Sequence, residues 1–98
     1  KFVTYSPLNH RLQSGMLKAT EDVVKITEQV GNRIRALRKQ RGLSQEKLAL
    51  KAGIDRTYLA GIETGKRNAT LLSLEKVAIA LDISMRDFFD FEKEVDYK

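Results

Sequence analysis

The chain has 98 residues, a net charge of +5, one histidine and no cysteine. That length suits one domain with a modest core; without cysteine there is no disulfide or thiolate metal site, and His10 alone makes neither a zinc site nor a catalytic pair. No run is apolar enough to span a membrane and no secretory signal peptide is evident, so the cytoplasm is the expected compartment.

Residues 1–19 show no sustained helical or strand period, and Ser6-Pro7 and Ser14-Gly15 mark breaks. The first residue is Lys1, not Met. Met16 is a candidate start, with residues 1–15 as an extension, and the arm is expected to be poorly ordered unless a partner chain holds it. Thr20 reads as a helix cap with Glu21 and Asp22 in the first turn. Val23, Ile26 or Thr27, Val30, Ile34 and Leu37 then recur at three- and four-residue steps, which predicts a helix over 21–41. Gly31 is a candidate interruption, at about 1 kcal/mol relative to Ala. Gly42 is the expected C-terminal cap, with Leu43 packing under the next helix.

Ser44 caps a second helix, Gln45 to Lys51; Lys47 at its third position leaves the capping box incomplete. Ala52-Gly53-Ile54 is a turn, with Gly53 free to take positive φ. Asp55 caps a third helix ending at Glu63. Inside it, Gly61 has no propensity reason to be present: it permits close approach either of DNA or of a neighbouring helix. Thr64 to Asn68 is a turn. Thr70 caps a fourth helix, Leu71 to about Leu81, with Leu71, Leu74, Val77, Ala78 and Leu81 on its apolar face. Ser84, with Asp87 at the third helical position, starts a fifth helix over about 85–93, and residues 94–98 form a frayed tail. The expected fold is therefore all-α: a five-helix domain over 20–93 with an N-terminal extension. Its predicted core is Ile34, Leu37, Leu43, Leu48, Ala49, Ile54, Leu59, Ile62, Leu74, Val77, Ala78, Leu81, Ile83 and Phe88.

Residues 44–63 carry a further pattern. Counted from Gln45, Ala49 falls fifth and Gly53 ninth; Leu48, Ala52, Ile54, Leu59 and Ile62 fall fourth, eighth, tenth, fifteenth and eighteenth. With Arg38 before it and Glu63-Thr64-Gly65-Lys66 after it, this resembles the helix-turn-helix of the phage-repressor, Cro-like and Xre-type family, over roughly residues 30–90. The resemblance implies a lambda-repressor-like domain whose third helix is presented to the DNA major groove. It also implies a structural ion pair between Arg38 and Glu63. Asp55 to Leu59, Gly61-Ile62-Glu63 and Lys66-Arg67-Asn68 look like the controller proteins of restriction–modification systems, small dimeric regulators of their own promoter and the endonuclease gene. The segment before residue 31 is longer than a minimal controller needs.

Charge distribution agrees with a polyanionic partner. Residues 1–30 carry a net +1, residues 31–68 carry +7 and residues 69–98 carry −3, which add to +5. Within the third helix, Arg56, Thr57 and Tyr58 are the candidates for base contact. Arginine pairs bidentately with guanine O6 and N7, and threonine donates to an acceptor or touches a thymine methyl. Tyr58 has packing, sugar stacking or a phosphate bond as alternatives. Gln45 matches the family position that bonds the DNA backbone, at a helix N-terminus that favours a phosphate. Lys66, Arg67 and Asn68 are the other backbone candidates; Lys47 and Lys51 read as solvated.

Phe88, Phe89 and Phe91 are too many aromatics for one short helix to bury, so they are assigned to a homodimer interface reading two half-sites about 10–10.5 bp apart. The expected function is a sequence-specific transcriptional regulator of a palindromic double-stranded operator. It needs no cofactor, metal, membrane or small-molecule ligand; contact with RNA polymerase stays open. An antitoxin, with the N-terminal segment holding a toxin, is the alternative. An enzyme is not expected: Asp87, Asp90, Glu92, Glu94 and Asp96 lack a His, Cys or Gly-rich loop to complete a site.

Overall fold

The computed structural model describes residues 25–92, and among these there are five helices and no strand. They are α1 (Ile26–Gln40), α2 (Gln45–Ala52), α3 (Arg56–Glu63), α4 (Leu71–Ala80) and α5 (Met85–Phe88). The expected cap Thr20, the arm and the 94–98 tail lie outside the described residues.

Local chemistry sets most boundaries. The side chains of Ser44, Asp55, Thr70 and Ser84 accept hydrogen bonds from the backbone N–H of Lys47, Tyr58, Ser73 and Asp87, each satisfying an otherwise unpaired first-turn donor. Gly42 at φ 68° and Gly53 at φ 73° turn the chain out of α1 and α2 in the left-handed region. After α4 the same turn is made by Asp82 at φ 58°, with the Ile83 N–H reaching back to Ala78 O at 3.0 Å. Asp is one of the few non-glycine residues that visit this region, and no glycine marks the turn in the sequence.

Several expectations need correction. Helix α1 begins at Ile26, after an extended Lys25, rather than at residue 21. Leu71, expected on the apolar face of the fourth helix, is 76% exposed. Gly31 does not interrupt α1; it lies buried in an unbroken helix. A Cβ there would collide with Ile62 O and come within 2.6 Å of Glu63 O, so this glycine is what lets the backbones of α1 and α3 meet. The crowding against α1 that was one reading of Gly61 is relieved at Gly31 instead. Lastly, α5 ends at Phe88 rather than near residue 93. The Asp87 and Phe88 carbonyls, which a longer helix would give to the amides of residues 91 and 92, accept from the Arg33 guanidinium at 2.6 and 2.9 Å.

Helix α1 packs on α3, α2 lies against α3 and α4, and α4 holds α5. The buried apolar residues are Val30, Ile34, Leu37, Leu48, Ala49, Ala52, Leu59, Ile62, Leu74, Val77, Ala78, Ala80, Leu81 and Phe88. Leu43, Ile54 and Ile83 are only half-buried. Each stands in a connection between helices, where it closes the edge of the core, while Val30, Ala52 and Ala80 fill places inside helix contacts.

Candidate nucleic-acid interface

The α2–α3 unit is fastened to α1 by a bidentate ion pair. Arg38 Nε and Nη2 donate to the Glu63 carboxylate at 2.7 and 2.9 Å, and the glutamate side chain is 1% exposed. Gln45 Nε2 donates to the same carboxylate at 3.0 Å, and Arg38 Nη1 donates to Leu43 O at 2.9 Å. The expected Arg38–Glu63 pair is thus in place, in a network that joins the end of α3 to the start of α2. Arg35 Nη2 adds a bond to Glu63 O at 2.8 Å.

This fixes which side of α3 remains open. Leu59, Ile62 and Glu63 face inward. Arg56 and Thr57, in the first turn, are exposed. Among the described residues their side chains make no hydrogen bond or ion pair with the protein. Tyr58 is placed differently: it is half-buried, and its hydroxyl accepts from the Thr70 N–H at 3.2 Å. Hydrogen bonding at the Ser73 hydroxyl, first, and then the Thr70 groups and the Arg67 charge hold the phenol below the ordinary tyrosine range, against the opposing effect of desolvation.

Lys66, Arg67 and Asn68 are exposed in the loop after α3. The loop is tied back to the helix, since the Lys66 and Arg67 N–H groups donate to Gly61 O at 2.9 and 3.0 Å. The Arg67 guanidinium carbon lies 5.9 Å from the Tyr58 ring centroid. At the other edge, one side-chain N–H of Gln45 is engaged with Glu63, and its backbone N–H stands at the α2 N-terminus. The carboxyl-terminal half of α3 is thus bonded both to the start of α2, through Glu63, and to the cationic loop, through Gly61 O.

Phe88 is wholly buried in its own domain, which removes it from the residues available to an interface. Phe89 is 37% exposed and packs edge-on against Phe88 and Phe91, with centroids 5.1 and 5.8 Å away. Arg33, Arg35 and Arg41 carry structural roles that the sequence reading missed. Arg33 and Arg35 bond the carbonyls ending α5 and α3, and Arg41 Nε donates to Leu81 O at 2.6 Å. Their spacing of two to six residues along α1 hinted at several faces but not at acceptors far along the chain. Among the described residues no group of His, Cys, Asp and Glu is arranged to hold a metal ion, and no helix is long and apolar enough to cross a membrane.

A model of the helix-turn-helix family matches residues 34–88. The chain belongs to this family. It is 47% identical over 66 residues to the control protein C.MunI of a Mycoplasma species, covering 65% of this chain and 89% of that one. The solved restriction–modification controller protein C.AhdI from Aeromonas hydrophila superposes with a TM-score of 0.63 at 48% identity, over 64% of this chain and 96% of that one. The controller protein C.Esp1396I, solved as a tetramer with its natural 35-base-pair operator, gives a TM-score of 0.64 at 38% identity, over 69% of this chain and 90% of that one. C.Esp1396I has also been solved with substitutions at a consecutive arginine, threonine and tyrosine. Arg56-Thr57-Tyr58 is the single such run in this chain.

Proposed function

We propose that this chain is a transcriptional regulator that binds a palindromic double-stranded operator as a homodimer, and that it controls a restriction–modification system. The observation that carries this reading is the presentation of Arg56 and Thr57, exposed and unbonded, on an α3 whose inner face is locked to α1 and α2. Side chains so placed are free to meet base edges, and the fixed helix supplies their register. The high identity to control proteins over nearly their whole length supports the controller assignment, as does the Arg-Thr-Tyr run. No observation favours the antitoxin alternative.

In this reading Arg56 and Thr57 contact bases. Lys66, Arg67, Asn68 and the Gln45 amide contact phosphates; the Tyr58 hydroxyl accepts from the Thr70 amide, a bond that leaves its own O–H as a donor. The test is a binding titration at several salt concentrations, on the DNA upstream of the chain's own gene and on single-base variants of the bound site. Arg56→Ala should flatten preference at one position per half-site by about 1–3 kcal/mol, whereas Arg67→Ala should weaken all sequences alike. Equal weakening at every site by Arg56→Ala, with altered base preference in Arg67→Ala, would reverse the two roles. Retention of full DNA binding by both variants would remove α3 as the reading element. Genes for an endonuclease and a methylase beside this one are the expected context for the controller role; a toxin gene would replace it with the antitoxin.

A further inference from the structure

We propose that Gly61 is a positioning residue for Arg67: its missing side chain is the slot in which the arginine stem lies, directing the guanidinium along the outer face of α3. The proposal rests on the reading of Arg67 as a phosphate contact. Glycine inside a helix is unfavourable, so Gly61 needs a reason. A Cβ at this position would collide with Arg67 Cγ and lie 3.3 Å from its Cβ and 3.5 Å from its Cδ.

The conflict could not be relieved by moving the loop. Gly61 O accepts from Lys66 N at 2.9 Å, from Arg67 N at 3.0 Å and from the Thr64 hydroxyl at 3.1 Å, so the loop backbone is anchored to the residue it would have to leave. The arginine side chain must instead change rotamer. That withdraws its guanidinium from the Tyr58 ring, which is itself held by the Thr70 amide. Tyr58 stands in the first turn of α3, so the ring contact is what the structure shows of where the slot sends the Arg67 cation.

The experiment compares the parent chain with Gly61→Ala, Arg67→Ala and the double variant, each bound to the operator duplex at several salt concentrations. Gly61→Ala should fold with an undiminished melting temperature, yet bind all sequences more weakly. Its slope of log K against log salt should fall by about 0.9 per lost contact, about 1.8 for a dimer. The double variant should match Arg67→Ala alone. Losses that add in the double variant would mean that the new methyl meets DNA directly, which overturns the proposal. If Arg67→Ala binds with the parent's affinity and slope, the phosphate reading fails, and a DNA-free measurement still decides the positioning. In the parent, NMR should show the Arg67 side-chain protons shifted by the Tyr58 ring, and this shift should vanish in Gly61→Ala and Tyr58→Ala but persist in Tyr58→Phe. An Arg67 shift unchanged by Gly61→Ala overturns the proposal regardless of DNA binding.

Discussion

Replacing Glu63 by alanine tests the network that sets the orientation of α3. The carboxylate accepts from Arg38 Nε at 2.7 Å, Arg38 Nη2 at 2.9 Å and Gln45 Nε2 at 3.0 Å, and the side chains of Arg38 and Glu63 are only 11% and 1% exposed. Truncation leaves a guanidinium mostly buried with one remaining acceptor, Leu43 O. Gln45 is half-exposed and water can replace its partner, so the penalty falls on Arg38. Breaking one side of a buried pair costs about 3–5 kcal/mol. Total stabilities of about 5–15 kcal/mol make that a large share, and at about 4 °C or more per kcal/mol the melting temperature should drop by at least ~12 °C. Urea denaturation followed by far-UV circular dichroism measures this directly. The double variant Arg38→Met/Glu63→Leu should recover most of the loss, because apolar replacement of both partners removes the stranded charge. A Glu63→Ala midpoint within error of the parent would refute the reasoning and reduce the pair to surface decoration.

Gly31→Ala should destabilise the domain even though alanine gains about 1 kcal/mol in helix propensity, because its methyl meets the Ile62 and Glu63 carbonyls of a neighbouring backbone, which no rotamer change relieves; thermal melts give the sign. Phe89→Asp should lower the mass seen by sedimentation equilibrium and weaken operator binding, and a tight dimer that survives the substitution removes Phe89 from the interface. Ultraviolet titration should show a tyrosine component ionising below the ordinary range, and Tyr58→Phe should abolish that component. Because the folded value lies below the unfolded one, this ionisation adds stability only in the alkaline range above the unfolded pKa, and the gain is lost as pH falls through the folded value.

Much of the fold was legible because it depends on signals spaced a few residues apart. Ser44, Asp55, Thr70 and Ser84 stand immediately before their helices, Gly53 immediately after α2, and Gly42 one residue past the C-cap of α1. The Arg38–Glu63 pair was legible only through family resemblance, since nothing local links residues 25 positions apart. What escaped the sequence was set by contacts between distant segments. Gly31 looks like a helix breaker until α3 is seen lying on it. The fifth helix looks longer than it is because the acceptors of Arg33 cannot be inferred from the spacing of aromatics. Asp82 does the work of a capping glycine without resembling one. At the candidate interface, residue types pointed to Arg56 and Thr57, but the engagement of Tyr58 with α4 and of Gln45 with Glu63 needed coordinates.

The basic segment also contains two populations of cations that charge counting merges. Residues 31–68 hold ten Lys and Arg. Arg33, Arg35, Arg38 and Arg41 are bonded to protein acceptors, which leaves Lys39, Lys47, Lys51, Arg56, Lys66 and Arg67 as candidates for phosphate contact. A guanidinium bonded to a neutral carbonyl keeps its charge, so Arg35 and Arg41 still contribute to the field that attracts a polyanion. The salt slope, by contrast, counts phosphates neutralised at contact. Arg41 separates the two. Its Nε donates to Leu81 O at 2.6 Å, at the carboxyl end of α4, where a cation also complements the helix dipole. Arg41 is exposed and water can replace it, so Arg41→Gln should cost about 0.5–1.5 kcal/mol of stability and slow association with DNA modestly. It should leave the salt slope of the equilibrium constant unchanged, whereas Arg67→Ala should lower the slope without lowering the melting temperature. A slope reduced by about one per protomer in Arg41→Gln, together with the expected loss of stability, would show that Arg41 leaves the Leu81 carbonyl for a phosphate in the complex, and the structural role assigned to it would then belong to the free protein alone; a reduced slope with stability unaltered would refute that role altogether.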